Sequence, residues 1–284
     1  MMRAVASLLL ALALAHGAWA ETGSNMPFQG RIKATLSGFT DDHPGSLPKR
    51  NKPYETIPDF ALPDPARATV VIYSHGTSNS QEEENCSAPG NDVPPSLRAL
   101  TRDGVYIWYL CSRVALRTPP QQPERYVLWR MEEVADAIEM FLAAGVRPER
   151  LFLAGHSAGG WTSLMMARDW MGRLGGIIAY APAFAGTRAD ARERPEWRGE
   201  ARPRMVRRML EARRMRALVF AYEADEFNRP QELRFLTDAY PDGVRMIRYH
   251  CDDEHDHASH VWDCRLDLST EEVRRFVLGD SQRL

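Results

Sequence analysis

The chain has 284 residues, with 44% hydrophobic and 26% charged side chains, 19 glycines and 19 prolines. That balance excludes disordered, collagen-like and coiled-coil chains, and although the length allows one large core or two small ones, a single domain over residues 21–284 is expected. A formal net charge of −2 at pH 7 supplies no global field for nucleic acid or an anionic membrane surface, so either partner would need a local patch.

Residues Met1 to Ala20 begin with a short region carrying Arg3, continue through an apolar run from Leu8 to Ala15 and close on the small-x-small triplet Ala18-Trp19-Ala20. This is the layout of a cleaved signal peptide, and the run is shorter than the ~20 residues that span a bilayer. A mature, secreted or periplasmic chain starting near Glu21 is expected, with no later membrane helix. An oxidising destination makes Cys86, Cys111, Cys251 and Cys264 disulfide candidates. Of the three possible pairings, Cys86 with Cys111 and Cys251 with Cys264 is favoured, because each closes a short loop beside a predicted strand end. The spacing lacks the paired C-x-x-C elements of a zinc site.

In chain order, a first strand is expected around Arg31 to Leu36, followed by six prolines between Pro44 and Pro65 that prevent long helices. The β-branched run Thr69 to Tyr73 ends at His75-Gly76, and Val105 to Leu110 is a second buried strand, with a short helix over Pro95 to Arg102 between them. Val127, Met131, Val134, Ile138 and Phe141 form one apolar stripe of a crossover helix that Gly145 stops. Leu151 to Ala154 is the next strand, and a helix follows from Trp161 to Met171. Strands over Gly176 to Ala181, Ala217 to Tyr222 and Val244 to Tyr249, with helices over Pro230 to Ala239 and Thr270 to Leu278, complete the alternation. The expected fold class is therefore α/β: a mostly parallel sheet with helices on both faces and its chemistry at the carboxyl ends of the strands.

Ala185 to Arg216 departs from this pattern, with eleven arginines against five acids and a helical stretch from Met205 to Met215. It reads either as a solvated surface excursion or as a cap whose arginines meet anionic substrate groups.

Gly155-His156-Ser157-Ala158-Gly159 matches G-x-S-x-G in the strand, turn, helix context that the motif requires. A serine on a strained turn exposes its hydroxyl above the sheet. The two glycines avoid collision with neighbouring backbone, and the following helix offers unsatisfied N–H groups near a developing oxyanion. With this elbow and the earlier strand ending in His75-Gly76, the chain resembles the α/β-hydrolase superfamily from about Thr69 onwards. Within it, the dienelactone-hydrolase-like and secreted esterase or lipase-like members are the nearest likeness.

The resemblance implies an acyl-enzyme mechanism on small-molecule or lipid-like esters, with no organic cofactor. It makes Ser157 the nucleophile and the N–H groups of Thr77 and Ala158 the oxyanion donors, with His75 a structural turn residue. The superfamily's order is serine, acid, histidine, which places the acid after the strand ending at Tyr222. Asp225 is preferred and Glu223 held in reserve, although Tyr222 stands where the family usually has a glycine. Among His250, His255, His257 and His260, the base is expected at His257, which a small residue follows as in family members, with His260 as the alternative. His250 is expected to be packed or hydrogen-bonded, and a Cys251–Cys264 bond would pin this loop. Trp129 and Trp161 read as core aromatics of crossover helices. The carboxylates and histidines from Asp252 to His260 also invite a metal reading, which the absence of H-E-x-x-H disfavours. A serine peptidase, an acyl transferase and a non-catalytic binding scaffold remain the alternative functions.

Overall fold

The computed structural model describes residues 35–39, 62, 64–77, 91–112, 123–252 and 254–279. The expected leader at 1–20 and Cys86 lie outside them. A seven-stranded sheet organises the described chain: β1 (Thr35–Phe39), β2 (Thr69–Ser74), β3 (Val105–Ser112), β4 (Leu151–His156), β5 (Gly176–Tyr180), β6 (Ala217–Tyr222) and β7 (Val244–Tyr249), in the order β1-β3-β2-β4-β5-β6-β7. Strands β2 to β7 are parallel, and β1 runs antiparallel to β3 at one edge.

Parallel strands need crossovers, which cover both faces and so require apolar residues on both sides of each strand. The alternation is visible residue by residue. Val70, Ile72, Leu153 and Ile177 face one core with the Pro123–Ala143 and Ala158–Met165 helices, whereas Val71, Tyr73, Ala154 and Ile178 face the other with Leu97, Val273 and Val277. No helix among the described residues is long and apolar enough to cross a membrane.

Several boundaries move from their sequence expectation. Of the first strand expected around Arg31 to Leu36, residues 31–34 lie outside the described residues; the described strand, Thr35–Phe39, continues past Leu36 because it pairs antiparallel with β3 as far as Phe39, Gly38 opposite Tyr109, and that register is a tertiary property. The helix expected over Met205 to Met215 is Arg202–Leu210; residues 211–216 leave it to reach the start of β6. The helix after the elbow breaks at Met166 into Ala158–Met165 and Ala167–Trp170. Trp129 is 39% exposed with Arg125 over its ring, so it is not a core residue, whereas Trp161 is fully buried. Two positions from both Val127 and Met131, Trp129 lies on the face opposite the apolar stripe.

The register sets the chemistry. Ser74 pairs with Gly155 and His156 with Tyr180, which brings the His75–Thr77 turn beside the elbow, while Tyr222 beside Tyr249 brings the loops after β6 and β7 together.

Candidate active site

Ser157 stands between β4 and the Ala158–Met165 helix at φ 51°, ψ −121°. That conformation is costly for a residue with a Cβ, and strain of this kind concentrates at functional turns. The tight turn also explains Gly155, where a Cβ would lie 2.4 Å from the Gly159 carbonyl carbon. Ala158 is the first helical residue, so its N–H has no partner within the helix.

A cleft of about 730 Å³ opens above the elbow. Ser157, Ala158, Gly76, Thr77 and His257 all line it. Asp225, 1% exposed, accepts at Oδ2 from His257 Nδ1 at 2.7 Å. Its Oδ1 accepts from the N–H groups of Phe227 (2.7 Å) and Asn228 (3.2 Å). A carboxylate fixed by two backbone donors holds the imidazole in one tautomer with its proton on Nδ1. The other ring nitrogen, Nε2, is buried and has no partner among the described residues. The ring is held on its faces as well, 4.4 Å from Phe227 and 4.9 Å from His156. The Cys251–Cys264 disulfide closes the loop that carries it. Cys111 is also disulfide-bonded.

The other sequence candidates sit elsewhere. Glu223 accepts from Gln231 at 3.1 Å, away from His257. His260 is fully buried, is not among the cleft-lining residues, and stacks on Tyr222 at 4.9 Å. His250 is exposed rather than packed, since it follows the last residue of the edge strand β7. His75 is bonded at both ring nitrogens, to Ser112 N and Gly76 O. In the 252–260 loop, His255 bonds Asp252, and Asp256 accepts from Ala258 and Ser259 N–H groups, which hold its carboxyl below the usual range. These donors are engaged in turns rather than converging on a point. The group that does converge among the described residues is Asp225, Glu226 and His257, within 4.8 Å of one another, and two of its members are already the acid–imidazole pair.

The basic segment divides in two. Gly186, Thr187, Asp190, Arg194 and Trp197 wall the cleft. Beyond them a π-helical turn, Trp197–Ala201, leads into arginines tied down outside it: Arg198 to Glu232 (2.6 Å), Arg202 to the Glu232 carbonyl (2.8 Å) and Arg208 to Asp169 (2.7 Å). Sequence reasoning did not single out Tyr126, Phe184, Trp197 and Phe227, the aromatic lining. Each lies on a separate segment, so no local spacing marks them as a set. A larger concavity of about 830 Å³ lies at the opposite ends of β6 and β7, lined by Arg213, Arg214 and Tyr240. No serine, threonine, cysteine or histidine lines it, and it faces away from the carboxyl ends of the strands, where this architecture places its ligands.

Against solved structures, the chain superposes on Est1E from Butyrivibrio proteoclasticus with ferulic acid bound. The TM-score is 0.58 and the identity 14%, over 87% of this chain and 97% of that one. The chain has the α/β-hydrolase fold. Two further structures share it. A thermophilic esterase from Thermogutta terrifontis with propionate bound has TM-score 0.52 and 14% identity, over 76% of this chain and 85% of that one. Porphyromonas gingivalis dipeptidyl peptidase 4 has TM-score 0.53 and 17% identity, over 75% of this chain but 31% of that one. No protein-family model and no curated protein matches the sequence. Within the α/β-hydrolase fold, esterases and peptidases thus share one scaffold, and the site must decide between them.

Burial lowers the His260 pKa below its ordinary 6.5, which predicts a pH effect on stability that is separate from catalysis. The unfolded chain takes up the proton first as pH falls through 6.5, so folding free energy present above that pH is lost below it. His260→Phe keeps the ring stacked on Tyr222 and is expected to flatten the fall in Tm between pH 7 and pH 5, as calorimetry would show. A fall as steep as that of the unsubstituted protein would assign the acid sensitivity to other groups.

Proposed function

We propose that the protein is a secreted or periplasmic serine hydrolase of small carboxylic esters. The observation that carries this reading is the Asp225–His257 contact at 2.7 Å in the cleft that Ser157 lines from a positive-φ turn. Serine is a poor nucleophile unless a positioned base takes its proton.

The Ser157 hydroxyl attacks the ester carbonyl and its proton passes to His257 Nε2. Asp225 stabilises the imidazolium, and the N–H groups of Thr77 and Ala158 receive the oxyanion. Collapse of the intermediate breaks the bond to the alcohol, which leaves with the proton from Nε2. Water then repeats the sequence on the acyl-enzyme, releasing the acid and restoring the serine. Residues 185–216 serve as a cap, with Trp197 facing the acyl group. The aromatic lining suits esters of aryl acids, in keeping with the ferulic acid bound to Est1E. The expected leader and the disulfides support an oxidising location.

Labelling with a fluorophosphonate probe, followed by mass-spectrometric mapping, tests the reading. Rapid modification at Ser157 is expected. Hydrolysis of the 4-nitrophenyl ester of cinnamic acid should exceed that of the acetate by about tenfold in kcat/KM, the scale of one well-buried ring. A folded protein that resists the probe would count as a binding scaffold. Cleavage of peptide amides in preference to esters would make it a peptidase.

A further inference from the structure

We propose that Arg130 and His75 are positioning residues that aim the Thr77 N–H into the cleft, so that the oxyanion hole is formed before substrate arrives. The inference rests on the serine-hydrolase reading and deepens it.

Arg130, on the Pro123–Ala143 helix, is 1% exposed. A guanidinium does not lose its charge in a protein, so burying it is costly unless its donors find acceptors. Arg130 donates from Nη2 to the His75 carbonyl at 2.5 Å, and from Nη1 to the Gly76 carbonyl at 3.4 Å and the Tyr126 hydroxyl at 3.0 Å. No carboxylate is among its partners in the described residues. The charge is therefore directed at consecutive carbonyls of one turn, the turn that lines the cleft.

His75 acts on the same carbonyl. The Ser112 N–H donates to its Nε2 at 3.0 Å, which leaves the ring proton on Nδ1, 2.7 Å from the Gly76 oxygen. That oxygen is thus held by an imidazole and a guanidinium together. The peptide unit joining Gly76 to Thr77 is trans and planar, so its N–H points opposite to its C=O. Pinning the carbonyl toward Arg130 turns the Thr77 N–H away from it. A Cβ built on Gly76 would lie 3.5 Å from the Ser157 Cβ, so this peptide stands against the nucleophile. Flipping it would break both bonds to the Gly76 oxygen and leave a buried cation short of an acceptor. Hydrogen bonds at the carbonyl also polarise the peptide and make its N–H a stronger donor.

The test uses the full chain with Arg130→Met, Arg130→Lys and His75→Gln, assayed on a 4-nitrophenyl ester and with a trifluoromethyl ketone, whose serine adduct carries an oxyanion. Arg130→Met is expected to lose about 100-fold in kcat with KM nearly constant, and ketone affinity should fall in parallel, the signature of a lost oxyanion donor. Arg130→Lys should recover part of the loss, and His75→Gln should show the same pattern at about tenfold. A folded Arg130→Met that retains wild-type kcat and ketone affinity overturns the proposal. So does a loss of kcat that follows a fall in Tm while ketone affinity is kept, because a purely structural role would behave that way. If the Arg130 variants do not fold, wild-type ketone affinity in His75→Gln overturns it. Failure of the wild-type protein to react with a fluorophosphonate would remove the serine-hydrolase reading itself, an outcome independent of any Arg130 variant.

Discussion

Replacing His257 by alanine is expected to lower turnover of a 4-nitrophenyl ester by about 10⁵-fold and to abolish fluorophosphonate labelling of Ser157, because in the proposed mechanism Ser157 loses the imidazole that Asp225 orients to take its proton. The size follows from the division of labour. The proposed oxyanion donors and the cleft persist in the variant, so residual hydrolysis above the uncatalysed rate should remain, while proton transfer does not. His260→Ala is the informative control. His260 is as buried as any residue in the protein and lies three positions from His257, but its ring faces Tyr222 and does not line the cleft. Its removal is expected to change turnover by less than about tenfold, through packing rather than chemistry. Activity that survives His257→Ala and disappears in His260→Ala would reverse the assignment.

The two histidines also show what a sequence can and cannot disclose about such a site. The elbow is legible because its requirement is local: a positive φ at Ser157 with small neighbours must occur between a strand and a helix, and Gly155 to Gly159 state this in five letters. Asp225 and His257 are legible only through the order in which this kind of fold delivers its loops, since 32 residues separate them. Their contact is a consequence of β6 and β7 pairing in register. Arg130 gives no local signal, because an arginine one helical turn after Tyr126 reads as a solvated position. Only the meeting of that helix with the turn after β2 makes it a buried donor to His75 and Gly76. Trp197 and Phe227 come from segments that are irregular in sequence, and their convergence on one cleft depends on the fold of residues 185–216. The exposure of Trp129, by contrast, could have been read from the period of its own helix.

The second large effect is expected at Gly159, where substitution by alanine should cost about 3 kcal/mol or more in unfolding free energy and take activity with it. A Cβ there would lie 2.0 Å from the Ser74 carbonyl oxygen, 2.5 Å from that of His75 and 2.6 Å from the Ser74 carbonyl carbon. None of these atoms can rotate aside. They belong to the last residue of β2 and the residue after it, and β2 is held on both sides by β3 and β4. The clash can therefore be relieved only by moving the Ala158–Met165 helix away from the sheet. That movement would open the packing of Trp161 and Leu164 in the core and separate Ser157 from the His75–Thr77 turn. Stability and activity are expected to be coupled here because one glycine sets both the depth of a helix and the distance between Ser157 and the turn that carries the proposed oxyanion donor. Gly172→Ala serves as the comparison, since a Cβ at that position meets nothing within 4 Å. Urea unfolding of the two variants should differ by the full clash energy. A Gly159→Ala protein as stable as the Gly172→Ala protein would mean that the helix has room to shift, and its ester turnover would then report how far the site tolerates the displacement.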